Sequence, residues 1–88
     1  MRIHTDLCVQ VNLTDGETFS VEVRGGVVTL EEEENVRAEA TLYISTFNLE
    51  SIIAGRLSPS EAYAEGVVAV LGNLGTALRF LKEMGQAW

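Results

Sequence analysis

This 88-residue chain holds one cysteine, one histidine, one proline and only six Lys or Arg residues. Each scarcity excludes something. A lone Cys8 forms no internal disulfide, which fits a reducing, cytoplasmic setting. His4 and Cys8 fall on one strand face, about 13 Å apart at roughly 3.3 Å per residue, too far for a nucleophile and its base. The same two residues fall short of the three or four ligands of a zinc site. Thirteen Asp and Glu residues bring the net charge to −7. Arg2, Arg24, Arg37, Arg56, Arg79 and Lys82 form no cluster along the chain, so a phosphate backbone is not an expected partner. No apolar run approaches the roughly 18–20 residues of a membrane span. The opening "MRIHTDLCVQ" lacks the apolar segment of a signal peptide.

The remaining candidates for chemistry are thin. The run Glu31–Glu34 is the densest charge, but it lacks the spaced ligands and turn glycine of a calcium loop. It reads as a solvated strand end and loop. Of the pair Glu61 and Glu65, the first has a capping role and the second is expected to face solvent. Gly66, Gly72 and Gly75 frame a strand rather than a phosphate cradle, and no lysine follows them. No catalytic constellation emerges, so the chain reads as a non-enzyme without cofactor or metal.

What the chain does have is apolar content, 47% of its residues, in two different periods. That composition in a chain this short indicates one small domain, residues 1–88, with a modest core. Ile3, Leu7, Val9, Val11 and Leu13 alternate with polar residues, which is the pattern of a half-buried strand. Asp15-Gly16 is a hairpin turn signal, and "TFSVEVR" (18–24) alternates again, with Phe19, Val21 and Val23 inward. Gly25-Gly26 closes a second tight hairpin into "VVTLEE". "AEATLYIS" (38–45) reads as a fourth strand, and the first half of the chain as an antiparallel meander.

The period then changes to three and four. Phe47, Leu49, Ile52, Ile53 and Leu57 mark an amphipathic helix, capped by Ser45 or Thr46 and ended by Gly55. In "SPSE", Ser58 is placed to accept from the Glu61 amide, Glu61 to reach back to the Ser58 amide, and Pro59 to fill the first helical position. That short helix stops at Gly66. "VVAVL" (67–71) reads as a buried strand, Gly72-Asn73 as a turn, and Leu74, Ala77, Leu78, Leu81 and Met84 as the stripe of a last helix. Phe80 departs from this stripe and pairs with Trp88 as an expected exposed patch. The sum is an α+β fold: a five-stranded, largely antiparallel sheet with helices packed on one face.

This order of elements resembles the sterol-carrier-protein type-2-like domain. The resemblance covers about residues 7–84. Its specific part is the strand "ATLYIS", the helix "TFNLESIIAG" and the run "RLSPSEAYAEGVVAVLGNLGTALRFL", with Gly55, Ser58-Pro59, Ala62-Tyr63, Gly66 and Gly72-Asn73 in the family's places. The stretch "VQVNLTDGETFSVEVRGGVV" also looks like the C-terminal accessory domain of alkyl sulfatases, within the same superfamily. A related domain closes a group of acetyltransferases, whose acetyl-CoA-binding parts are not in this sequence.

The resemblance implies a non-enzymatic module that holds a fatty, acyl-CoA or sterol-like ligand in an apolar tunnel. Phe47, Leu49, Ile52, Ile53, Leu57, Tyr63, Leu74, Leu78, Leu81 and Trp88 would line it, although the same stripes also suit a plain core. The alternative is an accessory module without ligand that mediates dimerisation or docks on a larger enzyme. Family members often carry a leading helix before the first strand, which this sequence lacks. A shallower or open cavity and a homodimer, covering Phe80 and Trp88, are therefore expected.

Overall fold

The computed structural model describes residues 6–32 and 37–86. Five strands form one sheet: β1 (Leu7–Leu13), β2 (Thr18–Arg24), β3 (Val27–Glu31), β4 (Ala40–Ile44) and β5 (Val68–Gly72). Three helices follow the fourth strand and the fifth: α1 (Thr46–Ile53), α2 (Pro59–Ala64) and α3 (Leu74–Gln86). The expected start of the first strand at Ile3 lies outside the described residues, as do His4 and Trp88.

The strand order is β3-β2-β1-β4-β5. β1, β2 and β3 are the expected antiparallel hairpins, with Gly25 and Gly26 at φ 55° and 82° in the tight turn between β2 and β3. The meander does not extend to a fourth strand. β4 lies on the far side of β1 and pairs with it in parallel, Val9 opposite Ala40 and Val11 opposite Leu42. β2 and β1 therefore lie between β3 and β4, which do not form a hairpin. Periodicity shows which residues face inward, but not which strand lies alongside, and an eight-residue link is long enough for either path. β5 closes the sheet antiparallel to β4.

The inward face carries Leu7, Val9 and Val11 on β1, Val21 and Val23 on β2, Ala40, Leu42 and Ile44 on β4, and Val68 on β5, each at most 4% exposed. α3 lies across β1, β4 and β5 on this face, α1 packs on α3, and α2 sits between α3 and β5. α3 is rotated relative to its expected stripe. Ala77, Phe80, Leu81 and Met84 are buried, while Leu74 at the helix start is 36% exposed. Phe80 is fully buried, so it forms no surface patch, and this support for a homodimer is withdrawn. Residues 77, 80, 81 and 84 satisfy the three–four spacing as well as the expected set does. The larger ring takes the centre because it removes the most apolar area from water.

The helix termini follow the sequence closely. Ser45 caps α1, its hydroxyl accepting from the Asn48 amide at 3.2 Å. Ser58 caps α2 in the same way, accepting from the Glu61 amide at 3.1 Å. The expected return bond differs: the Glu61 carboxylate accepts from the Ser58 hydroxyl at 2.9 Å, not from its amide. α1 and α2 end alike. The Arg56 amide donates to the Ser51 carbonyl and the Gly55 amide to that of Ile52, just as Val67 donates to Ala62 and Gly66 to Tyr63. Each is the paired-bond cap that places a left-handed glycine after the last turn. Asp15 has a role beyond its turn. Its carboxylate accepts from both the amide and the hydroxyl of Thr46, at 2.9 and 3.0 Å, and so ties the β1–β2 loop to the start of α1.

Candidate functional site

Short helices with glycine ends leave a furrow where α1, the 55–59 link and α3 meet. One cleft of about 290 Å³ lies there, lined by Ile52, Arg56, Leu57, Pro59, Leu81 and Lys82, with Glu61 at its side. A smaller cleft of about 160 Å³ adjoins it, lined by Pro59, Ser60, Leu78, Arg79 and Lys82. Pro59 and Lys82 belong to both, so the two form one groove along α3. Its floor is apolar. Ile52 and Leu81 are at most 2% exposed, and Leu57, Leu78 and Pro59 are half-buried above them.

The rim is cationic. Arg56, Arg79 and Lys82 are exposed side chains, and they are half of the Lys and Arg residues of the chain. The scatter of cations along the sequence thus conceals a cluster in space. Arg79 and Lys82 lie three apart on α3, which places them on neighbouring positions of one helix face. Arg56 comes from a different segment and joins them only through the fold. Among the described residues, Glu61 is the one carboxylate in the lining, and it already accepts from the Ser58 hydroxyl.

The ten residues read as a ligand wall divide into three groups. Leu57, Leu78, Ile52 and Leu81 line the groove, the last two from below. Leu49 is buried and Ile53 packs against the core. Phe47, Tyr63 and Leu74 stand in solvent, at 71%, 45% and 36% exposure. The tenth, Trp88, lies outside the described residues. Of the nine described, Leu49, Ile52 and Leu81 are buried, Ile53, Leu57 and Leu78 are half-buried, and the other three are exposed.

A second cleft, of about 320 Å³, opens between β1 and the start of α3. Asp6, Glu39, Asn73, Thr76 and Arg79 dominate its lining, so Arg79 stands between this cleft and the groove, and Asn73 accepts from the Thr76 amide at 3.0 Å. Two carboxylates, one guanidinium and a polar wall do not suit hydrocarbon. Cys8 sits on the opposite sheet face at 3% exposure. Burial pushes its thiol above the usual range, and the nearby Glu22 and Glu39 carboxylates push the same way. A thiol held protonated is a poor nucleophile. Among the described residues, no group of three or more His, Cys, Asp or Glu is arranged for a metal ion. No helix among them is long and apolar enough to cross a membrane.

Comparison with solved structures places this architecture. The chain superposes over 86% of its length on the inverting sec-alkylsulfatase Pisa1 from Pseudomonas sp., with a TM-score of 0.79 and 23% identity. It spans only 12% of that enzyme. Over 93% of its length it matches the UbiJ-SCP2 ubiquinone synthesis protein, with a TM-score of 0.76 and 13% identity, covering 68% of that chain. The sterol carrier protein domain 2 of Helicoverpa armigera gives 0.75 and 20%, with the same coverage of both chains. At these identities the likeness is one of fold. A search of the curated proteins finds no match. The sequence itself matches the model of the SCP-2 sterol transfer family over residues 4–82, nearly the whole chain, and the protein belongs to that family.

Proposed function

We propose that the protein is a non-enzymatic lipid-binding module whose ligand is an anionic amphiphile, a fatty acid or acyl-CoA in preference to a sterol. The observation that carries this reading is the groove along α3, with an apolar floor under three cations in a chain of net charge −7. Hydrocarbon laid over Leu57, Pro59 and Leu78 leaves water at about 0.8 kcal/mol per buried CH₂. A carboxylate or phosphate at the rim meets Arg56, Arg79 and Lys82. Exposed ion pairs each contribute up to about 1 kcal/mol, so the head group sets preference and the tail sets affinity. A sterol hydroxyl can accept a hydrogen bond at that rim but brings no charge to pair with it.

Equilibrium binding of palmitate, palmitoyl-CoA and cholesterol tests this. Micromolar binding of the first two, about −8 kcal/mol, is expected. Arg56→Glu with Lys82→Glu should weaken palmitate at least tenfold and leave the thermal midpoint nearly unchanged, because both side chains are exposed. Absence of saturable binding by any of the three would refute the reading. A second reading then stands, that of an accessory module docking on an enzyme. It is supported by the likeness to a 12% portion of an alkylsulfatase.

A further inference from the structure

The β3 edge of the sheet leaves an inward-facing apolar position uncovered. Along one inward-facing row, Ala40, Val9 and Val21 are at most 2% exposed, and Leu30 beside them is 65% exposed. The helix layer lies over β1, β4 and β5, and leaves Leu30 of β3 in solvent while Val28 packs against the core. Leu30 and Phe19 thereby floor an open cleft of about 350 Å³, whose remaining lining is Glu17, Glu31 and Glu32. Among the described residues, none that lines it is basic. This cleft is distinct from the groove along α3 in place and in sign of charge.

β3 is also an edge strand, and alternate residues of an edge turn unpaired N–H and C=O groups outward. Exposed edges are usually blunted by lysine, proline or a bulge. The sequence "VVTLE" has neither residue, and its register with β2 runs unbroken from Arg24–Val27 to Ser20–Glu31. β-branched residues and an open ladder make a template for one more strand. The apolar cleft beside it would hold a side chain of that strand, as alternate pockets do when a peptide extends a sheet.

We propose that this edge binds an extended segment of a partner protein as a sixth strand, and that the segment sets an apolar side chain between Lys or Arg residues. The apolar residue enters the cleft over Phe19 and Leu30. The flanking cations meet Glu17, Glu31 and Glu32. Charge selects this occupant over the alternatives. A fatty carboxylate or a phosphate head would meet three carboxylates. A second copy of this chain would bring the same three carboxylates, and a further charge of −7, against them.

The test uses short synthetic peptides and the isotope-labelled protein. One peptide alternates Lys with Val and Leu; one replaces each Lys with Glu; one keeps the Lys residues and places proline at the centre. The Lys peptide should shift amide resonances of residues 19 and 27–31, at least tenfold more tightly than either control, and should weaken as salt is added. Leu30→Lys should abolish this binding without changing the melting temperature, since Leu30 is exposed. The same variant should bind palmitate as the parent does, which separates this inference from the lipid reading. Equal binding of the proline peptide, or shifts spread over the whole acidic surface, would overturn it by reducing the effect to charge alone. Self-association lost in Leu30→Lys would overturn it in favour of a second copy.

Discussion

Gly72 ends β5 at φ +91°, and a Cβ built there would stand 2.6 Å from the Glu39 carbonyl oxygen. That oxygen accepts the Asn73 amide at 2.9 Å, and Gly72 lies opposite Ala40 in the ladder. Gly72→Ala therefore adds two costs. The left-handed backbone is strained for alanine by about 1–3 kcal/mol. The clash is with backbone, which cannot turn aside, so β4 and β5 must part and the Asn73 bond, about 0.5–1.5 kcal/mol, is lost or stretched. The expected loss is about 2–4 kcal/mol in a domain whose stability, at 0.05–0.15 kcal/mol per residue, is about 4–13 kcal/mol. Gly66 supplies the control. Its φ is +75°, but a Cβ there meets nothing within 4 Å. Gly66→Ala should cost only the backbone share, about 1–3 kcal/mol, without the added clash. At about 4–8 °C per kcal/mol for a domain of this size, thermal melts and urea titrations separate the two variants. Equal losses within 0.5 kcal/mol would refute the clash and with it the tight β4–β5 closure that seats the start of α3.

Three further outcomes follow from the same structure. Phe80→Ala should cost about 3–5 kcal/mol by urea unfolding, while Phe47→Ala should fall within about 0.5 kcal/mol of the parent, because the first ring is fully buried and the second is 71% exposed. The Asp15 carboxyl titrates below its usual range because the Thr46 amide and hydroxyl both donate to its charged form. A folded-state value below the unfolded one gives stability that is present above about pH 3.9 and is lost as pH falls through the folded value. The parent should thus exceed Asp15→Ala in stability at neutral pH and converge with it in acid; a gap independent of pH would contradict the bond. Ser58→Ala should cost about 1 kcal/mol by removing the acceptor for the Glu61 amide, and unchanged unfolding would show that α2 does not depend on its cap.

Local signals were legible in the sequence. Gly25-Gly26, Ser58-Pro59, Gly55 and Gly66 each mark a turn or helix end because only certain residues satisfy those backbone angles or orphan amides. The five strands followed from period two, the glycine turn and the apolar run at 67–71. That run is an edge strand, however, and not the expected buried one: Val68 alone in β5 is buried, and Leu71 is 61% exposed. Longer-range facts were not legible in the same way. The parallel seating of β4 beside β1 depends on which edge of β1 is free, which no period encodes. The burial of Phe80 depends on the roll of α3 about its axis, and two overlapping stripes fit that helix equally well. Asp15 carries a turn signal, yet its bond to Thr46 spans thirty-one positions. The site divided along the same line. Leu57, Leu78, Ile52 and Leu81 were visible as apolar stripe members. Arg56, Arg79 and Lys82 were not visible as a cluster, because two segments of chain must fold together to assemble it. The only advance signal was the spacing of three between Arg79 and Lys82.

The measurement that bears most directly on the groove is a set of intermolecular NOEs between palmitate and the protein labelled at its leucine methyl groups. The lipid-binding account places the acyl chain along α3. It predicts NOEs from chain methylenes to the methyls of Leu57 and Leu78, and their loss in the Arg56→Glu, Lys82→Glu double variant. NOEs to Leu30 instead, or a bound palmitate that contacts neither Leu57 nor Leu78, would contradict it.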